Sequence, residues 1–348
     1  MPTITKPSLH MAVNTRTGTG AAFNVTGVGF QPDLVISKGR SGATGWVWSN
    51  SVVGTGKYLS SNSTAAEVTD AQAVTAFNSD GFSGGTAAIL NTNAATYVDY
   101  MFKGGGAAVS NTSGSITSSV SANTTAGISI VTYTGTGANA TVGHGLGVAP
   151  KLVIVRNRTP VAFPSGEAWA VQHVNLTSGA YKLSLNATSA QSSVPTIWNS
   201  TLAGATTFSV GTNTETNENG RGMLALCFAE VEGFSKIGSY TGNADANGTF
   251  VYCGFKPRYL LIKATASANT WIMYDTARDT YNAGTDSKLY PNQAVAENGS
   301  AGDSSTTNLF DITSNGFKAR TSNSASNGSE LFIFIAFAEA PMKFSTAR

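Results

Sequence analysis

Three stretches of the chain share one pattern of apolar and polar positions. Residues 29–38 read GFQPDLVISK, residues 147–156 GVAPKLVIVR and residues 254–263 GFKPRYLLIK. Each opens on Gly, sets a Pro a few positions on, and runs through four mostly β-branched or aliphatic residues to a basic one. Pro32, Pro150 and Pro257 each stand six positions before that Lys or Arg. Short β-branched runs bounded by Gly and Pro predict strands. Proline has no N–H to give a ladder, so a strand is predicted to begin just after each of the three prolines.

The pattern continues on both sides of the phrase. Before each copy stands a strand-like run ending in Thr-Gly, at residues 11–18, 128–135 and 234–242, and ISIVTYT alternates as a half-buried strand does. After each copy come a Trp (Trp46 and Trp48, then Trp169, then Trp271), a KYLSSN, YKLSLN or KLYPN segment, and a closing apolar run, YVDYMF, MLALCF or LFIFIAF. Asp80, Asn247 and Asn315, each followed by Gly, predict tight turns. Helical periodicity is weak, its best candidate being residues 65–77, where Ala66, Val68, Ala71, Val74 and Phe77 fall on one face. Recurrence at this scale predicts an internally triplicated, all-β chain of three tandem antiparallel β-sandwich repeats, jelly-roll-like in kind. The expected boundaries are 1–103, 128–231 and 232–348, with residues 104–127, rich in Gly, Ser and Thr, as a linker or an added hairpin around Ile116 and Val120.

Composition narrows the class further. The 348 residues exceed one ordinary core, and the 41% hydrophobic share is gathered into the recurring runs, which a disordered chain lacks. The net charge of +2 comes from 21 dispersed Lys and Arg with no basic patch, which gives no reason to expect nucleic-acid binding. No apolar run reaches membrane-spanning length and the first residues lack a signal-peptide core, so synthesis in a cytoplasm without membrane insertion is expected. Cys227 and Cys253 lie in different repeats. They read as buried free thiols, a pairing between repeats being the open alternative. His10, His144 and His173 are scattered, no metal or cofactor is expected, and His144 in TVGHGLG is read as a turn residue.

Candidate chemistry comes from carboxylates and aromatics. Glycoside hydrolysis needs two carboxylates across a cleft, for which Asp275 with Asp279 and Glu230 with Glu232 are the candidates. Glu230 recurs as Glu339, which favours a structural role, and a non-enzymatic protein is expected. The recurring Trp positions read as core. Trp48 has no clean counterpart and lies in the Gly-rich GATGWVWSNS, so it is predicted to be exposed, and Trp46 and Trp48 are the candidate glycan or partner contacts.

The phrase GFQPDLV, the segment YTGTGANATVGHGLGVAPKLVIVRN, FVYCGFKPRYLLIK followed by WIMYDTARDTYN, and the FAE endings resemble a repeat domain of tailed-bacteriophage virion proteins, often of marine phages, known as tail-fibre, tail-spike or uncharacterised proteins. The resemblance covers nearly all of residues 11–348 and carries no catalytic residues. It implies an exposed virion protein, of the tail-fibre or receptor-binding type that mediates host attachment. Capsid decoration or a head fibre is the alternative, and a virion-associated polysaccharide-degrading enzyme a further one. The implied partners are other tail or capsid proteins and a host surface glycan or receptor, the location is the virion surface, and the assembly is a monomer or a homotrimer. Three units in one chain would suit a three-fold docking site.

Overall fold

A computed structural model of the chain describes residues 3–159, 168–282, 286–299 and 308–341. It is all-β and antiparallel, with four one-turn α-helices among the described residues. The first unit runs β1 (Met11–Thr17), β2 (Phe23–Val25), β3 (Leu34–Gly39), β4 (Trp46–Asn50), β5 (Lys57–Tyr58), β6 (Val68–Thr69), β7 (Val74–Asn78), β8 (Gly81–Gly84), α1 (Ala88–Asn91) and β9 (Thr96–Phe102). Residues that follow form a hairpin, β10 (Val109–Asn111) and β11 (Ser118–Asn123). The second unit runs β12 (Ile128–Thr134), β13 (Ala140–Gly143), β14 (Leu152–Asn157), β15 (Ala170–His173), β16 (Tyr181–Ser184), β17 (Ser192–Ser193), α2 (Pro195–Trp198), β18 (Thr207–Val210), α3 (Thr214–Asn217) and β19 (Gly222–Phe228). The third comprises β20 (Ser235–Thr241), β21 (Phe250–Tyr252), β22 (Phe255–Ala264), β23 (Ile272–Asp275), β24 (Phe310–Thr313), β25 (Gly316–Ala319), α4 (Ser324–Asn327) and β26 (Leu331–Pro341).

Each unit has a main sheet of one strand order: β1-β9-β3-β4, β12-β19-β14-β15 and β20-β26-β22-β23. In the second unit β10 and β11 add to one edge and β16 and β17 to the other, giving eight strands. Smaller sheets, β2-β8-β7, β13-β18 and β21-β25-β24, cover one face of each main sheet.

The predicted strands at the recurring phrase are continuous apolar runs because both their faces are buried. On β3, Leu34 and Ile36 face one core and Val35 the other; on β14, Leu152 and Ile154 oppose Val153 and Val155; on β22, Tyr259 and Leu261 oppose Leu260 and Ile262. The outward set packs under its own small sheet. The inward sets of all three units merge into one central core. At its middle the closing-strand residues Phe102, Phe228 and Phe337 form a triangle, with ring centroids 6.2, 6.1 and 5.3 Å apart in edge-on geometry. Each such pair contributes about 1 kcal/mol beyond the area it buries.

One weak candidate is settled and one expectation changes. Residues 65–77 hold no helix but strands β6 and β7, since the Thr content and β-branched Val68 and Val74 suit a pleated surface better. The third phrase starts its strand before the proline: Pro257 lies inside β22, where register shifts on either side of it mark a bulge, one of the places a ladder tolerates a missing N–H.

The recurring Thr-Gly has a steric cause. A Cβ on Gly18, Gly135 or Gly242 would lie 2.2, 2.2 or 2.1 Å from the carbonyl oxygen of Thr92, Glu218 or Gly328, the residue just past each unit's last helix, so only glycine fits. The same helix ends hold the turn: Asn91, Asn217 and Asn327 are buried, and each side-chain oxygen accepts from the backbone after that glycine, Thr19, Thr136 and Asn243 at 2.8, 2.7 and 3.2 Å. Their amides donate to the carbonyls of Ala21, Ala138 and Asp245.

Candidate functional site

The recurring tryptophans close the three units into a ring. Trp46 of the first unit donates its indole N–H to the carbonyl of Tyr290 in the third at 2.9 Å, Trp271 of the third to Ser184 of the second at 2.9 Å, and Trp169 of the second to Ser60 of the first at 3.1 Å. Their backbone N–H groups are held within their own units by Asn62, Asn292 and Asn186. A second cyclic set lies alongside: Glu297 N–H to the Arg40 carbonyl, Glu67 to Arg158, and Gln191 to Thr265. At two of these joints the side chains also pair, Arg40 with Glu297 at 2.8 Å and Arg158 with Glu67 at 2.7 Å.

Neither candidate contact residue reaches the surface. Trp46 is 0% and Trp48 3% exposed. The prediction that Trp48 is exposed is therefore corrected: its ring faces the central core and lies 5.2 Å from that of Trp169, because β4 is buried on both faces. The counterpart to Trp48 is the aliphatic side of the same core, Val171 and Met273, which is why the sequence shows no matching Trp.

The candidate carboxylates are committed to the fold. Asp275 is fully buried, accepts from Tyr100 Oη of the first unit at 2.8 Å and pairs with Arg278 at 2.6 Å; Arg278 also reaches Glu297 at 2.9 Å. Asp279 accepts from the backbone and hydroxyl of Ser287. Glu230 pairs with Lys151 and Lys236 at 3.0 and 3.1 Å, Glu339 pairs with Lys256 at 2.9 Å, and Glu232 is exposed. His144 is a turn residue: Nδ1 accepts from the Leu146 N–H, and Nε2 bonds the Gly204 carbonyl. Cys227 and Cys253 are buried free thiols; burial pushes the Cys227 thiol far above its ordinary pKa and that of Cys253 up to about 12. Among the described residues no group of three His, Cys, Asp or Glu is placed to hold a metal.

One carboxylate titrates near neutrality. Asp286 accepts from the backbone of Leu309 and Phe310 at 2.6 and 2.9 Å, yet burial, with Asp279 nearby, pushes it up to about 7. The folded value lies above the unfolded one, so the stability Asp286 contributes is fully present at acid pH and is lost as pH rises from about 4 to 7. Burial holds His173 down at about 4, which gives the opposite slope over part of that window. Asp286→Asn should therefore raise Tm relative to the parent at pH 8 by more than at pH 4. Equal differences at both pH values would assign the proton elsewhere.

The open hollow that departs from the three-fold pattern lies where the units' ion pairs recur. Lys151 and Arg258 follow the phrase prolines and face Glu230 and Glu339 two positions past the closing Phe. In the first unit the charges change: Asp33 stands at the Lys position and Gly104 at the Glu position. A hollow of about 450 Å³ lies here, lined by His10, Asp33, Lys103, Gly104, Asn123 and Thr125 among others. A Cβ on Gly104 would meet Asp33 and Ser121 at 2.9 Å, so glycine also lets β11 approach. Asp33 accepts from Ser51 Oγ at 2.8 Å and from Gly106 N–H at 3.2 Å. Burial and then the charge of Lys103 lower the pKa of His10, which is neutral at pH 7, and its ring packs edge-on at 5.7 Å from Phe234. One carboxylate, one amine, a neutral imidazole, amides and hydroxyls can hydrogen-bond a small polar group. The two-carboxylate arrangement of a glycosidase is not assembled in this hollow.

No curated protein and no solved structure matches the chain. A family model does match, over residues 6–341, and by that match the chain belongs to the family described as Domain of unknown function (DUF7483).

Proposed function

We propose that this chain is an exposed, non-enzymatic structural protein of a tailed-bacteriophage virion, of the tail-fibre or receptor-binding type, which attaches the particle to its host. In this reading the units are three tandem β-sandwiches. A jelly-roll-like character is supported by the way the first, last and third strands of a unit neighbour one another in one layer while the second and the penultimate pair in the other. The observation that carries the functional reading is the closed ring: the indole bonds from Trp46, Trp169 and Trp271 link the units cyclically within one chain, an arrangement that three chains would otherwise provide at a fibre tip. The resemblance of its repeated phrases to virion repeat domains supplies the context.

Capsid decoration is the second reading, favoured by the same pseudo-three-fold ring, which suits a three-fold site on a shell. Its partners would be capsid proteins, and those of the first reading a tail protein and a host surface glycan or receptor. The test is competition. Purified protein added to host cells before phage is expected to reduce adsorption under the first reading, whereas under the second it leaves adsorption unchanged and binds emptied capsids. Release of new reducing ends from host polysaccharide would replace both readings with an enzymatic one.

A further inference from the structure

The hollow of the first unit is lined by two opposite charges that the fold leaves without partners. Asp33 and Lys103 stand next to the register pair Leu34 and Phe102, one before the start of β3 and the other after the end of β9. In the second and third units the chain balances its own charges at this place. Glu230 is held by Lys151 and Lys236 at 3.0 and 3.1 Å and by the Ile237 N–H at 3.1 Å, and Glu339 by Lys256 at 2.9 Å. Neither Asp33 nor Lys103 makes an ion pair among the described residues. Asp33 is 1% exposed, and its oxygens accept from the Ser51 hydroxyl and the Gly106 N–H. Both donors are neutral, so the charge itself stays uncompensated, and holding such a charge out of water is costly.

The backbone around these charges is tied down. A Cβ on Gly104 would lie 3.1 Å from Asp33 Oδ2, and one on Gly105 would lie 2.5 Å from the Ala122 carbonyl oxygen, so the chain passes close over the carboxylate and against β11 only as glycine. The Gly105 N–H donates to Ser121 Oγ at 2.9 Å, which in turn donates to the Gly106 carbonyl at 2.8 Å, and Asn123 Nδ2 donates to the Lys103 carbonyl at 3.2 Å. The main chain at Lys103 is thereby fixed while its ammonium group makes no hydrogen bond among the described residues. Gln31, Thr124 and Thr125 line the same hollow, and their side chains make none either. Polar groups held in place by the backbone but not used by the fold are what a small-molecule site requires.

We propose that this hollow binds a small zwitterion, a free amino acid with a polar side chain, whose ammonium group meets the Asp33 carboxylate and whose carboxylate meets the Lys103 ammonium. The ligand completes in the first unit the charge balance that Lys151 with Glu230 and Lys256 with Glu339 reach within the chain. A lone cation would be repelled by Lys103 and a lone anion by Asp33, whereas a zwitterion makes a charge-assisted bond to each. The hollow of about 450 Å³ holds a molecule of this size, and Gln31, Thr124 and Thr125 suit a hydroxyl or amide at its far end. The inference rests on the hollow and is independent of the virion reading.

The probe is L-serine, titrated to about 50 mM at constant ionic strength against the isotope-labelled full chain, with amide resonances as the readout. The expected result is saturable shifts at residues 103–106 and 123–125, with none around Glu230 or Glu339. Ethanolamine, which is serine without its carboxylate, and hydroxypropionate, which is serine without its ammonium, should each bind at least about tenfold more weakly, the loss of one bond to a charged group. Lys103→Gln should abolish the serine shifts while leaving the unliganded spectrum unchanged outside the hollow, because the ammonium group supports nothing in the fold. Asp33→Asn, which keeps an acceptor for Ser51, should abolish them as well. Absence of shifts at the highest concentration would overturn the proposal. So would equal binding of ethanolamine or hydroxypropionate, or serine binding undiminished in Lys103→Gln.

Discussion

Alanine in place of Trp271 is expected to lower the unfolding free energy by about 4 kcal/mol, in a protein whose total is on the order of 10 kcal/mol. Two effects combine. The side chain is 2% exposed within the central core, so truncation leaves a cavity among residues that also hold the other two units. The indole N–H that closes the joint to Ser184 is lost as well, leaving that carbonyl unsatisfied. Trp271→Phe separates the two, keeping most of the burial and removing only the donor, and is expected to cost about 1–2 kcal/mol. The measurement is denaturant unfolding followed by probes in all three units. Because each unit's inward face is completed by the other two, the midpoint should fall for every probe with one common transition. A shift confined to the third unit would mean that the ring is an array of independent modules.

The second large effect concerns the charge pair buried in the main sheet of the first unit. Arg16 stands where the second and third units have Tyr133 and Tyr240, and Asp99 where they have Ala225 and Phe334. The tyrosines donate to the carbonyls of Thr216 and Ser326 at the helix end; Arg16 instead reaches the Leu90 carbonyl and pairs with Asp99 at 2.8 Å, to which Ser37 also donates. Asp99→Ala alone should cost about 3–5 kcal/mol, since it leaves a guanidinium buried without its counter-charge. Arg16→Tyr together with Asp99→Ala recreates the second unit's solution and should return stability to within about 1 kcal/mol of the parent. A double variant no more stable than Asp99→Ala would show that the surroundings of the first unit are fitted to the ion pair, and that the units are less interchangeable than their backbones.

Much of the fold was legible in the chain. Gly and Pro around β-branched runs identified β3 and β14 to within a residue or two, and the Asp80 and Asn315 turns fall between β7 and β8 and between β24 and β25. The weak helical candidate at 65–77 forms strands because a short apolar spacing is compatible with either period until a partner strand selects one. The site was less legible. Trp48 was read as exposed because its neighbours are Gly, Ser and Asn, and local polarity says nothing about what lies across a core. The aromatics that do face outward, Phe250 and Tyr252, sit in a run that reads as an ordinary buried strand. The hollow beside Asp33 was visible in principle: aligning the three phrases shows Asp against Lys and Arg, and Gly104 against two glutamates.

That this chain is built from strands, that it repeats three times, and where glycine and proline punctuate the repeat can be read from the residues alone, because these follow from backbone sterics and from periodicity within a few residues. It took the folded contacts to bring the three main sheets onto one core, to bind Trp46, Trp169 and Trp271 across units in a closed cycle, and to lay residues 114–118 along β13. Those facts depend on which apolar face meets which, and on the fate of backbone groups at a sheet edge. Both are set by contacts between residues a hundred or more positions apart, for which the local pattern carries no term.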